Sequence, residues 1–467
     1  MPTAGLALLS CVGAAAQSAD AVIDKLVDKG ILTVDEATQL KEEADKNYTS
    51  AYQVKSGIPD WVTSLRIGGD FRARYDMISA EEPTFIDRHR FRYRVRPGIF
   101  ATLKDNFEVG FRLTSGEQQG SFGGDPISGN VTEQDNGSKK FIFVDLVYGK
   151  WTAVNNKDWS ASFTVGKMEN PFVFSDMVFD GDYTPEGFSQ QLTFNAAEAH
   201  QLKLNLGEFF LDEISTDSED PFMFGAQLRL DSAWNKAIAT SLGVSMLALS
   251  DEQNLSETAA GPASRVQVVN PDGTPALDNG GNPITREIPG TAASSAVPNI
   301  NRGNTRVNGV LVNNYRPWVG DASITYTLDS FPMHNAPFPI KLAADYINNT
   351  GADEENEGYS IGITFGKSGK KGLWDVGYRW KHLEADAWYE EVVDSDFGGL
   401  YPAPPSGGRA TYGPGTNLEG HIFRLNYSPF DSLTIGVTYF LAEVIAGVPE
   451  DYDEKVGRLQ VDAVWKF

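Results

Sequence analysis

From about residue 62 to residue 467 apolar and polar residues alternate with period two, and nowhere is there a run of about 18 consecutive apolar residues. A period of two puts successive side chains on opposite faces of an extended strand. If such a chain crosses a bilayer it must do so with strands, and strands in hydrocarbon tolerate no open edge, so the sheet has to close on itself. A mean hydropathy of -0.30 and 46 glycines point the same way, away from a bundle of membrane helices.

The first alternating segment sets Leu65, Ile67, Phe71, Ala73 and Tyr75 against Arg66, Asp70, Arg72 and Arg74. In the second, 88–103, Phe91, Tyr93, Val95, Ile99 and Leu103 oppose Arg90, Arg92, Arg94 and Arg96. Like segments follow near 107–113, 140–151, 159–165, 188–195, 202–206, 222–230, 237–250, 318–326, 340–346, 359–365, 374–380, 423–427, 433–441 and 459–467, which makes sixteen. Their connections alternate between short turns, such as 104–106 and 155–158, and long loops at 117–138, 169–187, 251–316 and 385–417. This short-turn, long-loop asymmetry predicts an all-β fold: a 16-stranded antiparallel transmembrane β-barrel over 62–467, with both chain ends on the short-turn side.

The stretch before the barrel reads differently. Residues 1–19 hold an apolar run ending in small residues, the pattern of a cleaved signal peptide, although a basic start is lacking. The only cysteine, Cys11, falls inside it, so the mature chain needs no disulfide. Residues 20–47 read as a periplasmic helical hairpin, with Gly30 as a C-cap and Thr33 with Glu36 as a capping box; 48–61 is a linker. Contact of this hairpin with peptidoglycan is one expected role. A net charge of -24 argues against nucleic acid as a partner.

Magnitudes orient the strands. A lipid-facing Arg at mid-bilayer costs about 2–4 kcal/mol, so four on one strand would cost on the order of 10 kcal/mol. The arginines therefore face the lumen and the apolar parity faces lipid and lipopolysaccharide. Large aromatics on the apolar parity lie near strand ends, among them Tyr75, Trp159, Trp318, Tyr346, Trp380, Tyr427, Tyr439, Trp465 and Phe467, as interfacial girdles require. Trp465-Lys466-Phe467 resembles the C-terminal assembly signal of barrel proteins.

The expected lumen site has two sides. On the wall, Arg66, Arg72, Arg74, Arg90, Arg92, Arg94, Arg96 and Arg112 share the inward parity of the first three strands and would favour anions, or pair with inward carboxylates such as Asp70 and Glu108 and stiffen the wall. Facing it, the 169–187 loop carries Phe172, Val173, Phe174, Met177, Val178 and Phe179, too apolar for a free surface loop. Folded into the barrel, it would present Asp176, Asp180, Asp182 and Glu186 to the arginines across a constriction.

The Asp180-Gly-Asp182-Tyr-Thr-Pro185-Glu186-Gly187 run, the preceding Gly-Lys-Met-Glu-Asn-Pro and the arginine-rich opening strands resemble porins of Gram-negative outer membranes related to phosphate-selective porins. The resemblance implies a 16-stranded, trimeric channel in the bacterial outer membrane for small hydrophilic solutes or anions, and no enzyme. The runner-up reading is an outer-membrane anchor or adhesin whose hairpin contacts the cell wall. A channel specific for sugars or fatty acids would want an aromatic track on the inward parity, where Arg, Asp, Gln, Ser, Thr and Gly dominate instead.

Histidine chemistry finds little support. His89, His200, His382 and His421 share the apolar parity near strand ends and His334 falls in a short turn, so none is placed to act in the lumen or to form a metal site. No cofactor is expected. The acidic loop clusters Asp353, Glu354, Glu355, Glu357 and Glu450, Asp451, Asp453, Glu454 offer oxygen ligands for bridging Ca²⁺, or simply a solvated surface.

Overall fold

The computed structural model describes residues 58–80, 87–117, 124–197, 199–213, 218–255, 303–307, 310–398, 415–446 and 455–467, with the backbone of a few short paired segments between 257 and 295. The expected signal peptide, helical hairpin and most of the linker lie outside these residues.

Sixteen long strands follow one another in the chain. They are β1 (Val62–Ala80), β2 (Arg88–Leu103), β3 (Phe107–Gly116), β4 (Phe141–Asn155), β5 (Trp159–Lys167), β6 (Glu186–Ala197), β7 (His200–Phe210) and β8 (Phe222–Ala233). Then come β9 (Ile238–Ser250), β10 (Pro317–Leu328), β11 (Phe338–Asn349), β12 (Glu357–Gly366), β13 (Leu373–Leu383), β14 (Leu418–Phe430), β15 (Leu433–Val444) and β16 (Val456–Lys466). Each pairs antiparallel with its sequence neighbours. β16 then pairs with β1, from Asp70 opposite Lys466 to Ala80 opposite Val456, and the barrel is closed. The sixteen-strand barrel read from the alternation is the fold observed.

Residues 58–65 and 101–105 form a small compact unit of their own. Within it the Lys104 N–H donates to Trp61 O at 2.8 Å and Thr63 Oγ1 to Thr102 O at 3.0 Å. Asp105 adopts φ 62°, a left-handed position that Asp tolerates in a tight turn.

In the barrel the parity is as the energies require. Phe91 is 62% exposed, whereas its neighbours Arg92 and Arg94 are 8% and 5% exposed. The exposed apolar face repeats around the barrel, through Phe111, Val165, Leu228, Val244, Ile324, Leu342, Ile361, Leu425 and Ile435, and forms the belt that lipid covers. Aromatic rings meet across neighbouring strands on this face, as in Phe71 with Trp465, Tyr75 with Phe91 and Tyr359 with Trp380. The histidines on this parity are tied locally: His89 to Tyr75 Oη, His421 to Tyr378 Oη, and His382 to Glu419.

The apolar core sits inside the barrel, toward the long-loop end. Met168, Phe172, Met177, Val178 and Phe179, from the segment joining β5 and β6, pack against Phe209, Met223, Leu247 and Val319 of the strands. The same cluster holds Trp388, Tyr389, Val392 and Val393 from the segment after β13. Burying one large apolar side chain is worth about 1.5–3 kcal/mol, so the combined cluster holds both segments firmly inward.

The β5–β6 segment leaves the wall at a glycine pair. Gly166 and Gly187 are directly opposed, with φ of 112° and 149°. A Cβ would lie 2.3 Å from Val147 O at the first and 2.1 Å from Glu208 O at the second, so only glycine fits where the chain turns in.

Candidate functional site

The arginines of β1 and β2 lie in a connected ladder with carboxylates contributed from distant parts of the chain. Arg94 and Arg96 both reach Asp70, at 3.1 and 2.8 Å, and both reach Asp182 of the inward segment, at 2.5 and 2.9 Å. Arg74 grips Asp462 of β16 through two nitrogens, at 2.7 and 2.8 Å, and reaches Asp396 at 3.0 Å. Arg90 and Arg458 share Asp76, at 2.5 and 2.9 Å, and Arg458 also reaches Asp396 at 3.0 Å.

Two members lack such partners. Arg72 donates to Asn130 Oδ1 at 2.8 Å and, among the described residues, has no carboxylate in ion-pair reach. Arg92 is 3.8 Å from Asp76 and 3.5 Å from Asn130 O, and the Nε atoms of both are buried without a hydrogen-bond partner. Among the described residues, five carboxylates (70, 76, 182, 396, 462) contact these seven guanidinia (72, 74, 90, 92, 94, 96, 458), a difference of 7 − 5 = 2 in direct contacts, with Glu117 acting on Arg92 and Arg90 as well.

Of the remaining residues singled out in the sequence, Arg112 bonds to Asp145 and to Glu169. Arg66 lies over the Phe100 ring, 4.2 Å from its centroid. Asp176 takes Arg379 of β13 at 2.7 Å, on the wall three strands from β16. Glu186 takes Lys167 at 3.1 Å at the foot of the inward segment. The expectation that Glu108 pairs with an arginine is corrected: it accepts the Tyr148 O–H at 2.7 Å, Tyr148 lying on the next strand opposite Gly110, two residues along on the same face.

Sequence reasoning missed a second inward segment, 384–398. Its Val392 O accepts the Asp180 N–H at 2.8 Å, its Asp394 N–H donates to Asp176 O at 3.1 Å, and its Ser395 N–H to Asp180 Oδ2 at 3.1 Å. Lys381 of β13 holds Asp394 at 3.4 Å and lies 4.0 Å from the centre of the Phe397 ring. Residues of the loop after β9 lock the segment from behind: Asn304 Nδ2 donates to Ala385 O and Trp388 O, and buried Arg306 meets buried Glu390 at 2.6 Å.

The carboxyls where the two segments meet are pulled apart electrostatically. Burial raises Asp180 up to about 8, with the Asp394 and Asp182 carboxylates adding to it. Asp394 is raised for the same reason, burial foremost. Burial would also raise Asp182, but Arg94, Arg96 and Arg72 outweigh it and hold the carboxyl below its ordinary value. Asp396 is depressed likewise, burial being outweighed by Arg458, Arg74 and Arg72.

Space remains on the arginine side. A cavity of about 460 Å³ is lined by Arg94, Arg96, Thr114, Ser115, Asp145, Lys167 and Asp182, among others. A second, of about 390 Å³, shares Lys167, Thr184, Glu186 and Asp212 with it. Among the described residues no group of three or more His, Cys, Asp or Glu is arranged to hold a metal ion.

Residues 81–467 match the family described as "Putative porin". No curated protein matches the sequence. Among solved structures, similar ones include Pseudomonas putida OprB at 9% identity, covering 89% of this chain and 97% of that one with a TM-score of 0.48. Another is Salmonella typhi OmpF in complex with daunomycin, at 10% identity over 86% of this chain and 97% of that one, TM-score 0.43. A triple mutant of Rhodopseudomonas blastica porin matches at 9% identity over 86% and 100%, TM-score 0.38. With the family matched over most of its length and its sixteen strands closed into a barrel, this chain belongs to that porin family and resides in the bacterial outer membrane.

Proposed function

We propose that the barrel is a passive diffusion channel for small hydrophilic solutes that favours anions, narrowed where segments 168–185 and 384–398 approach the arginine ladder. The observation that supports this reading most is the ladder's unbalanced pairing: among the described residues Arg72 and Arg92 lack a close carboxylate. An excess of fixed positive charge along a narrow wet passage raises the local concentration of anions and lowers that of cations. The other guanidinia are neutralised pairwise, so they hold the wall and the Asp182 loop in place rather than attract ions.

The second reading, a barrel serving as an anchor, draws on the apolar cluster that occupies the lumen between the two inward segments. Liposome swelling separates them. Vesicles carrying the protein should swell in isotonic solutions of small sugars, and faster in gluconate than in a cation of matched size. Vesicles that fail to swell in every solute favour the anchor.

A further inference from the structure

A second basic cluster lies further round the barrel wall from the arginine ladder, one residue per strand, with β14 separated from β16 only by β15. Lys341 of β11, Arg379 of β13 and Arg424 of β14 line a cavity of about 300 Å³. Arg379 is committed to Asp176 of the inward segment. Lys341 and Arg424 are solvent-exposed, and their side chains make no ion pair or hydrogen bond with any described residue. In the ladder nearly every guanidinium is answered by a carboxylate; here two cations face an open cavity.

Asp375 shares the lining, but its oxygens are already taken by the Ser368 N–H at 3.0 Å and the Asn426 side-chain amide at 2.8 Å. The floor beside the cations is apolar, formed by Ala343 and by Ile422, which is 3% exposed. At Gly377 the nearest atom to an added Cβ would be 3.6 Å away, so the absent side chain leaves room.

We infer that this cavity binds a small organic carboxylate, its head between Lys341 and Arg424 and its hydrocarbon body against Ala343 and Ile422. A guanidinium forks onto a carboxylate through two parallel hydrogen bonds, and the ammonium adds a third donor. The apolar floor discriminates, because an inorganic oxyanion would leave its outer oxygens facing methyl groups without partners. The inference rests on the channel reading in that solutes must reach the lumen, but binding is read independently of flow.

The test is calorimetric titration of the detergent-solubilised full chain with sodium benzoate, and separately with inorganic phosphate, at about physiological ionic strength. Benzoate should saturate one site and bind more tightly than phosphate. Arg424→Gln and Lys341→Gln should each weaken it roughly tenfold, a loss of about 1.4 kcal/mol. Gly377→Val, which fills the cavity and leaves the charges in place, should weaken it too; heat-modified mobility on gels confirms that each variant is folded. Benzoate bound equally well by all variants, no saturable heat at all, or phosphate bound as tightly as benzoate would each overturn the inference. A silent bilayer recording alongside benzoate binding would sink the channel reading and leave this site standing.

Discussion

The Asp180 N–H donates to Val392 O at 2.8 Å, joining two inward segments that arise from opposite sides of the barrel. The Asp394 N–H returns the bond to Asp176 O at 3.1 Å, so each segment is satisfied by the other rather than by water. The inward fold is thus cooperative, and disturbing either segment should loosen both.

Phe179 is where their packing converges, stacked on Tyr183 at 5.7 Å and edge-on to Trp388 at 6.1 Å. Phe179→Ala should remove about 3–5 kcal/mol of packing. Single-channel conductance should rise and fluctuate, and hydrogen exchange should speed up in both 168–185 and 384–398. Protection lost in one segment alone would argue against cooperative seating.

The Asp180 carboxyl sets a pH dependence. Its folded value lies near 8 against an ordinary 3.8, so the folded contact binds the extra proton. Its stabilisation is complete below the ordinary value and is lost as pH rises to about 8. Asp394 moves in the same direction; Asp182, Asp176 and Asp396 are depressed, so they act only in acid and leave this window unchanged. Conductance should therefore be larger at pH 9 than at pH 5. Asp180→Asn, which cannot ionise, should flatten most of that rise, and an unaltered rise would reassign the effect to another group.

Arg306 and Glu390 are both buried and paired at 2.6 Å. Removing one partner of such a pair costs about 3–5 kcal/mol, because the other charge is left stranded. Arg306→Met should expose 384–398 to limited proteolysis, and the double change with Glu390→Gln should restore much of the resistance. Equal cleavage in wild type and single variant would show that the pair does not hold the segment.

Ile361 lies midway along β12 on the lipid face. Ile361→Arg should lower the free energy of folding into vesicles by about 2–4 kcal/mol, read from denaturant titration. Thr364, on the opposite parity of the same strand, lines open cavity space, so the same charge there should cost much less. Equal costs at the two positions would contradict the assigned parity.

Much of the barrel was legible in the sequence because its signal is local. Period-two alternation in segments such as 88–103 gives strand and face together, and the energetic cost of lipid-facing arginine gives the orientation. The apolar run Phe172–Phe179 likewise announces a segment that wants burial. The partners of the arginines were not legible, since Arg74 and Asp462 meet only when the barrel closes. Segment 384–398 hid its inward fold by mixing Trp388, Val392 and Phe397 with six acids, Glu384, Asp386, Glu390, Glu391, Asp394 and Asp396, a composition that reads as solvated. Lys341, Arg379 and Arg424 were equally invisible, because one cation per strand forms no run.

The central claim is an open channel whose arginine ladder carries excess positive charge, and single-channel recording in planar bilayers under a KCl gradient tests it most directly. Wild type should conduct, with a reversal potential on the anion-selective side. Replacing Arg92 and Arg94 by Ala should shift that potential toward cations, because Asp70 and Asp182 lose cationic partners and the excess charge falls. A barrel that never conducts, or a reversal potential indifferent to both arginines, would contradict the account.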